Sequence, residues 1–133
     1  MQITLIAGLP GSGKTHLAQS LVSYTPHRVW LVDDIKDISQ LVGVDHMQQI
    51  DHLIVTDPHF CRASTRQSAE DLLGQRYKCP INWIFFENDP RQCEINVLNR
   101  NDGRQVRGMI HAMSKIYTVP AGADVRPVFK GHP

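Results

Sequence analysis

The sequence has few cysteines, and they are widely spaced. Cys61, Cys79 and Cys93 form no C-x-x-C pair, and the seven histidines show no H-x-x-x-H or H-E-x-x-H spacing. Structural zinc sites and disulfide frameworks need such local groupings. We therefore interpret the cysteines as reduced, partly buried thiols and assign no metal-binding role to the histidines.

Long apolar runs and a strong net charge are also absent. No run approaches the roughly 20 apolar residues that cross a bilayer, and the first residues lack the basic leader of a signal peptide. These features predict a cytoplasmic protein without membrane attachment. The net charge is +1, with acidic residues in excess before residue 90 and basic residues in excess after it. The basic segment after residue 90 is either an ordinary solvent-exposed surface or a surface that binds phosphates.

The length of 133 residues predicts a single domain over 1–133, too short for a second domain beside a nucleotide-binding unit. Short apolar runs rich in Val, Ile and aromatic residues alternate with helical patterns, which favours α/β architecture with a parallel sheet covered on both faces. The predicted strands are 2–7, 27–32, 52–56, 81–86 and, at a sheet edge because of Pro127, 124–129. The predicted helices run from the glycine-rich loop to about Tyr24, over 64–76 with Ser64 as N-cap, from Asp89-Pro90 through Arg100, and over 105–117.

The glycine-rich segment GLPGSGKT, Gly8–Thr15, fits the phosphate-loop pattern G-x-x-x-x-G-K-S/T between a predicted strand and a helix. Such a loop directs backbone N–H groups at a nucleotide, Lys14 supplies charge to its β- and γ-phosphates, and the Thr15 hydroxyl coordinates Mg²⁺. ATP and Mg²⁺ are therefore the predicted cofactors. The predicted nucleotide-binding residues are Gly8, Pro10, Gly11, Ser12, Gly13, Lys14 and Thr15.

Aspartates follow the second and third apolar runs, where the carboxyl ends of parallel strands line a ligand crevice. Asp33 and Asp34 end the segment LVDD, and a kinase needs a carboxylate that accepts the proton of the attacking hydroxyl. One of the two could instead be a helix cap. Asp57, in TDPHF, is predicted either to orient Mg²⁺, directly or through a water molecule, or to bind the substrate. Alternatively, Asp57-Pro58 only opens a turn.

Two arginines flank a turn-forming Asn-Asp-Gly triplet. Arg100 and Arg104 are placed by the pattern on a short basic lid over about 99–106. Guanidinium groups on a lid are suited to stabilising a phosphoryl group in transfer. A basic surface loop has the same local sequence, but the phosphate loop and the strand-end aspartates favour the lid.

These motifs together resemble the small P-loop kinases, in particular the 5′-kinase domain of phage polynucleotide kinase. The resemblance rests on GLPGSGKT, VDDIK, IVTDPHF and RNDGR in this order, and on the helix MIHAMSKIY, so it covers most of the chain. It implies that Asp33 is the general base and that Lys36 contacts the substrate phosphate, with Asp34 and Asp57 also near the substrate. Counting from Lys14 instead selects Asp34 as the base. In a phage protein the location would be the host cytoplasm.

The expected function is ATP-dependent transfer of the γ-phosphate to a hydroxyl of a nucleic acid or nucleotide, either a 5′-end or a hydroxymethylated pyrimidine of phage DNA. A kinase for a small metabolite or a nucleoside is the alternative within enzymes. A nucleotide-binding switch without transfer chemistry is the alternative outside them. GTP switches usually carry an N/T-K-x-D motif, which this chain lacks.

Overall fold

The computed structural model describes residues 2–24, 28–33, 50–100 and 106–130. Asp34, Lys36, Arg104 and most of the predicted lid lie outside these ranges. The described chain contains five strands, four α-helices and one 3-10 helix. In chain order they are β1 Gln2–Ala7, α1 Lys14–Tyr24, β2 Val29–Asp33, β3 His52–Thr56, the 3-10 helix Pro58–Cys61, α2 Ala63–Tyr77, β4 Ile81–Phe86, α3 Pro90–Arg100, α4 Arg107–Ile116 and β5 Asp124–Arg126.

The five strands form one sheet in the order β2-β3-β1-β4-β5, and every neighbouring pair is parallel. This confirms the predicted α/β fold with helices on both faces. The central strand β1 pairs with β3 on one side and with β4 on the other. Because all strands run the same way, the carboxyl ends of β1, β2 and β3 lie at one edge of the sheet, where ligands bind in open α/β sheets.

The apolar runs are continuous because the sheet is buried on both faces. Along β1 alternate side chains point to opposite sides: Leu5 joins the core beneath α2, α3 and α4, whereas Ile6 joins Ala18 of α1 on the other face. Both Leu5 and Ile6 are fully buried. This packing holds the strand that leads into the glycine-rich loop rigidly between two layers of helices.

Several predicted boundaries need correction. The second strand begins at Val29, and its last residue is Asp33. The fifth strand lies at the sheet edge as predicted but ends at Arg126, immediately before Pro127, which has no N–H to donate to a ladder. The predicted cap Ser64 is wrong, because α2 begins at Ala63 with Arg62 at the N-cap and no capping side chain.

The last two helices match their predictions more closely. Asp89 caps α3 as expected, since its Oδ1 accepts a hydrogen bond from Gln92 N at 3.1 Å. In α4 the helical spacing of Val106, Met109, Ile110, Met113 and Ile116 or Tyr117 predicts a stripe that packs in the core. Ile110, Met113 and Tyr117 are buried, but Met109 and Ile116 are exposed. The helix therefore presents only part of its apolar surface to the core.

We expect one pH effect on stability from the interior of the sheet. His52 is buried on β3, with Nε2 2.8 Å from Thr4 Oγ1, and burial lowers the pKa of His52 below its ordinary value of 6.5. The unfolded chain takes up this proton at a higher pH than the folded chain does. The free energy of unfolding should therefore decrease as the pH falls below about 6.5.

Urea unfolding at about pH 7.5 and about pH 5.5 measures this effect. His52→Gln keeps a group that can hydrogen-bond to Thr4 and should lose less stability between the two pH values than wild type. The control His111→Gln replaces an exposed histidine of α4 and should behave as wild type. An equal acid sensitivity of wild type and His52→Gln would contradict the assignment.

Candidate functional site

The glycine-rich loop joins the carboxyl end of β1 to the first residue of α1. Two of its glycines have backbone angles in the left-handed region, with φ of 84° at Gly11 and 108° at Gly13. A side chain at Gly11 would also place its Cβ 2.6 Å from Cys93 O and 2.8 Å from Val97 Cγ2. The turn therefore requires glycine at position 11 both for its conformation and for the close approach of α3.

Replacing Gly11 should destabilise the protein. We expect Gly11→Ala to lower the free energy of unfolding by about 1–3 kcal/mol, because a left-handed conformation is unfavourable for alanine and its Cβ would overlap Cys93 O. The control is Gly74→Ala in α2, where a Cβ meets nothing within 4 Å. Removing a glycine from a helix interior should raise stability by about 0.5–1 kcal/mol. Urea unfolding of both variants tests the opposite signs, and a stabilised Gly11→Ala would rule out the strained turn.

The residues of the loop fit a bound phosphate group. The first N–H groups of α1 have no acceptor within the helix, and its first turn contains no acidic residue that would repel an anion. Ser12 is fully buried, and its Oγ has no hydrogen-bond partner in the described part of the chain. The helix end and the unpaired hydroxyl thus provide donors of the kind that a nucleotide phosphate accepts.

Lys14 folds back over this loop. Its Nζ donates to Gly8 O at 3.0 Å and to Leu9 O at 2.9 Å, and the residue is 7% exposed. The ammonium group is therefore held at the loop by two backbone carbonyls and kept close to the position where the phosphates would bind. This location agrees with the predicted role of Lys14, which remains a prediction.

Asp33 brings the ends of two strands together with the start of α1. Its Oδ2 accepts a hydrogen bond from Thr15 Oγ1 at 2.9 Å, and its Oδ1 accepts one from Thr56 Oγ1. Thr15 and Asp33 are exposed, so solvent or a metal ion can reach them, whereas Thr56 is buried. The register explains the arrangement, since Asp33 and Thr56 are paired at the ends of β2 and β3.

Thr15 contacts Asp33, which the sequence predicts as the general base, and not Asp57, which the sequence predicts as the carboxylate for Mg²⁺. Asp57 is buried and caps the 3-10 helix, where its Oδ1 accepts a hydrogen bond from His59 N at 2.8 Å and lies 2.9 Å from His59 Nδ1. Asp57 therefore also has the turn-forming role that the sequence left open. In the described ranges no group of three or more His, Cys, Asp or Glu side chains is arranged to hold a metal. A Mg²⁺ ion bound here would be coordinated by the Thr15 hydroxyl, a nearby carboxylate and water molecules. Mg²⁺ commonly has few protein ligands and keeps several waters.

Arg100 lies in the last turn of α3 with its side chain exposed. The proposed lid role of Arg100 is thus a prediction that rests on its position at the end of a helix that contacts the phosphate loop. Asp34, Lys36 and Arg104 have no described position from which to judge their predicted roles.

The sequence patterns missed three residues around the loop. Thr56 contacts Asp33, Asn96 donates to Gly11 O at 2.9 Å, and Phe129 N donates to Ser12 O at 3.0 Å. Thr56 had a usable signal, because it ends an apolar run next to Asp57. Asn96 and Phe129 had none, because they approach the loop from distant parts of the chain.

The cysteines near the loop are not reactive nucleophiles. Cys61 and Cys93 are free and fully buried. Burial raises the pKa of Cys61 to about 11 and the pKa of Cys93 to about 12, despite the positive charge of Lys14 nearby. Both thiols are therefore protonated near neutral pH, as the sequence predicts for structural cysteines.

Comparison with solved structures defines the class of this fold. Kti12 of Chaetomium thermophilum, solved in complex with ADP-AlF3, matches with a TM-score of 0.70 and 12% identity over 94% of this chain and 88% of that one. A gluconokinase from Sinorhizobium meliloti matches with a TM-score of 0.62 and 9% identity over 98% of this chain and 83% of that one. The protein APE1195 matches with a TM-score of 0.65 and 13% identity over 96% of this chain and 84% of that one. The chain has a P-loop kinase-like fold.

A sequence relative places the chain within a family. An uncharacterized protein of Acanthamoeba polyphaga mimivirus is 33% identical over 97% of this chain and 98% of its own length, and the chain belongs to the same family as that protein. No model of a protein family matches the chain. These matches make no specific link to polynucleotide kinase. None of the described helices has both the length and the apolarity needed to cross a membrane.

Proposed function

We propose that this protein is an ATP- and Mg²⁺-dependent kinase that transfers the γ-phosphate to an alcohol group. The observation that carries this proposal is the contact between Thr15 Oγ1 and Asp33 Oδ2 at 2.9 Å, directly beside the glycine-rich loop. It joins the hydroxyl suited to Mg²⁺ and a solvent-exposed carboxylate at the place where a γ-phosphate would lie. The ADP-AlF3 bound to the similarly folded Kti12 supports nucleotide binding by such a loop.

In the proposed reaction the acceptor hydroxyl attacks the γ-phosphorus. A new oxygen–phosphorus bond forms, the bond from the γ-phosphorus to the bridging oxygen of ADP breaks, and the hydroxyl proton passes to a carboxylate. Asp33 is the proposed acceptor of that proton, with Asp34 as the alternative. Lys14 and the N–H groups at the start of α1 bind the phosphates, and Arg100 and Arg104 stabilise the charge on the group in transfer. Mg²⁺, held by Thr15 with Asp33 or Asp57 acting through water, would neutralise charge on the phosphates.

The first proposed acceptor is a hydroxyl of a nucleic acid or nucleotide, such as a 5′-end or a hydroxymethylated pyrimidine. The ordered motifs that resemble polynucleotide kinase and the basic character of the chain after residue 90 support this acceptor. A small polar metabolite is the second candidate, because a gluconokinase shares the fold and because the net charge of +1 is low for a nucleic-acid-binding protein.

We propose a location in the cytoplasm.

A transfer assay with radiolabelled ATP distinguishes these acceptors. Single-stranded DNA, duplex DNA, RNA, hydroxymethylated DNA, free nucleosides and gluconate are supplied in parallel, with and without Mg²⁺. We expect labelled product from one acceptor class only in the presence of Mg²⁺. Tight ADP binding without transfer to any acceptor would favour the nucleotide-binding switch, and failure to bind either ATP or ADP would refute the proposed function.

A further inference from the structure

Asn96 forms a buried polar bridge between three segments that are distant in the sequence. The residue is 8% exposed, and its Nδ2 donates to Gly11 O at 2.9 Å and to Phe129 O at 2.6 Å. Its Oδ1 accepts a hydrogen bond from Gln92 Nε2 at 3.0 Å, which fixes the orientation of the amide. One side chain on α3 thus fastens the phosphate loop to the segment that follows β5.

A second contact fastens the next residue of the loop. Phe129 N donates to Ser12 O at 3.0 Å, so the carbonyls of Gly11 and Ser12 both accept hydrogen bonds from outside the loop. In a planar trans peptide the carbonyl and the following N–H point in opposite directions. Anchoring Ser12 O therefore turns the N–H of Gly13 away from Phe129. Anchoring Gly11 O turns the N–H of Ser12 toward Leu9 O, to which it donates at 3.1 Å.

We propose that Asn96 is a positioning residue that holds the phosphate loop in its nucleotide-binding conformation. This inference rests on the proposed nucleotide binding by the loop. A loop rich in glycine has high conformational entropy when it is free, and the Asn96 bridge restricts it before the nucleotide arrives.

The bridge should matter most for ligands that reach the loop. ADP places its β-phosphate in the loop, whereas AMP lacks that group. Asn96→Ala should therefore weaken ADP binding by roughly tenfold, the scale of one or two lost hydrogen bonds, with a much smaller change for AMP. Asn96→Asp should weaken ADP binding further, because it sets a carboxylate against two carbonyls and near the phosphate. Gln92→Ala removes only the donor to Asn96 Oδ1. It should also weaken ADP binding more than AMP binding, but by a smaller factor than Asn96→Ala does.

Asn88 provides a matched control. Its Nδ2 also donates to two backbone carbonyls, Ser114 O at 2.8 Å and Tyr117 O at 3.1 Å, but it contacts the end of α4 and not the phosphate loop. Asn88→Ala removes a bridge that also joins two carbonyls, although from an exposed position, and should leave the ratio of ADP to AMP affinity unchanged. Thermal unfolding of each variant shows whether it is folded at the assay temperature.

Calorimetric titration with ADP and AMP, together with amide hydrogen exchange of the peptide around 8–16 without nucleotide, tests the proposal. We expect faster exchange in Asn96→Ala than in wild type and in Asn88→Ala. Equal loop exchange in wild type and Asn96→Ala, or equal losses of ADP and AMP affinity, would overturn the positioning role. If wild type binds no nucleotide, the proposed function fails, but the exchange comparison still decides whether Asn96 orders the loop.

Discussion

Replacing Lys14 by Met should lower the rate of phosphate transfer by a factor of about 10² to 10³ or more, while the protein remains folded. Lys14 Nζ is held at Gly8 O and Leu9 O, beside the proposed position of the phosphates. Methionine retains most of the apolar stem in this buried place but has no charge for the transferring group. The rate with the acceptor found in the transfer assay, and the affinity for ATP, measure the effect.

The matched control is Lys115→Met, which removes a lysine from the exposed surface of α4. This variant should retain the wild-type rate and ATP affinity. Urea unfolding of both variants separates a loss of transfer from a loss of folded protein. Near-normal turnover by folded Lys14→Met would exclude the proposed kinase reaction at this loop.

Asp33→Asn should lower kcat by about 10² to 10⁴, the range of general acid–base catalysis. The structure suggests two reasons for such a loss. Asp33 is the proposed general base, and its contact with Thr15 also suits it to orient the waters of Mg²⁺. If Asp33 is the base, kcat stays low at saturating Mg²⁺. If Asp33 orients Mg²⁺, more Mg²⁺ restores part of kcat.

Two further aspartates complete this experiment. Asp71→Asn replaces an exposed carboxylate of α2 and should leave kcat unchanged, which controls for the loss of one negative charge. Asp34→Asn tests the alternative base. If Asp34→Asn lowers kcat at saturating Mg²⁺ and Asp33→Asn does not, the base is Asp34, and the contact of Asp33 with Thr15 serves the metal.

The strands and helices were largely predictable because their signals are local. The segments 2–7, 52–56 and 81–86 are apolar runs bounded by helical patterns, and the structure has strands over the same residues. Asp89-Pro90 marked the start of α3 through chemistry contained in two adjacent residues. Ser64 does not cap α2, because this helix starts directly after a 3-10 helix. The preceding 3-10 helix sets where the first turn of α2 begins, and no side chain caps it.

The glycine-rich loop shows the division between sequence and tertiary structure. Its sequence alone determined that a glycine-rich turn joins a strand to a helix and predicted that this turn binds phosphate, because the required glycines, Lys14 and Thr15 are neighbours in the chain. Only the tertiary structure decided that Asp33, and not Asp57, contacts Thr15. Only the tertiary structure brought Asn96 to Gly11, across 85 residues of sequence. Such contacts depend on strand order and helix packing, which no local pattern of residues specifies.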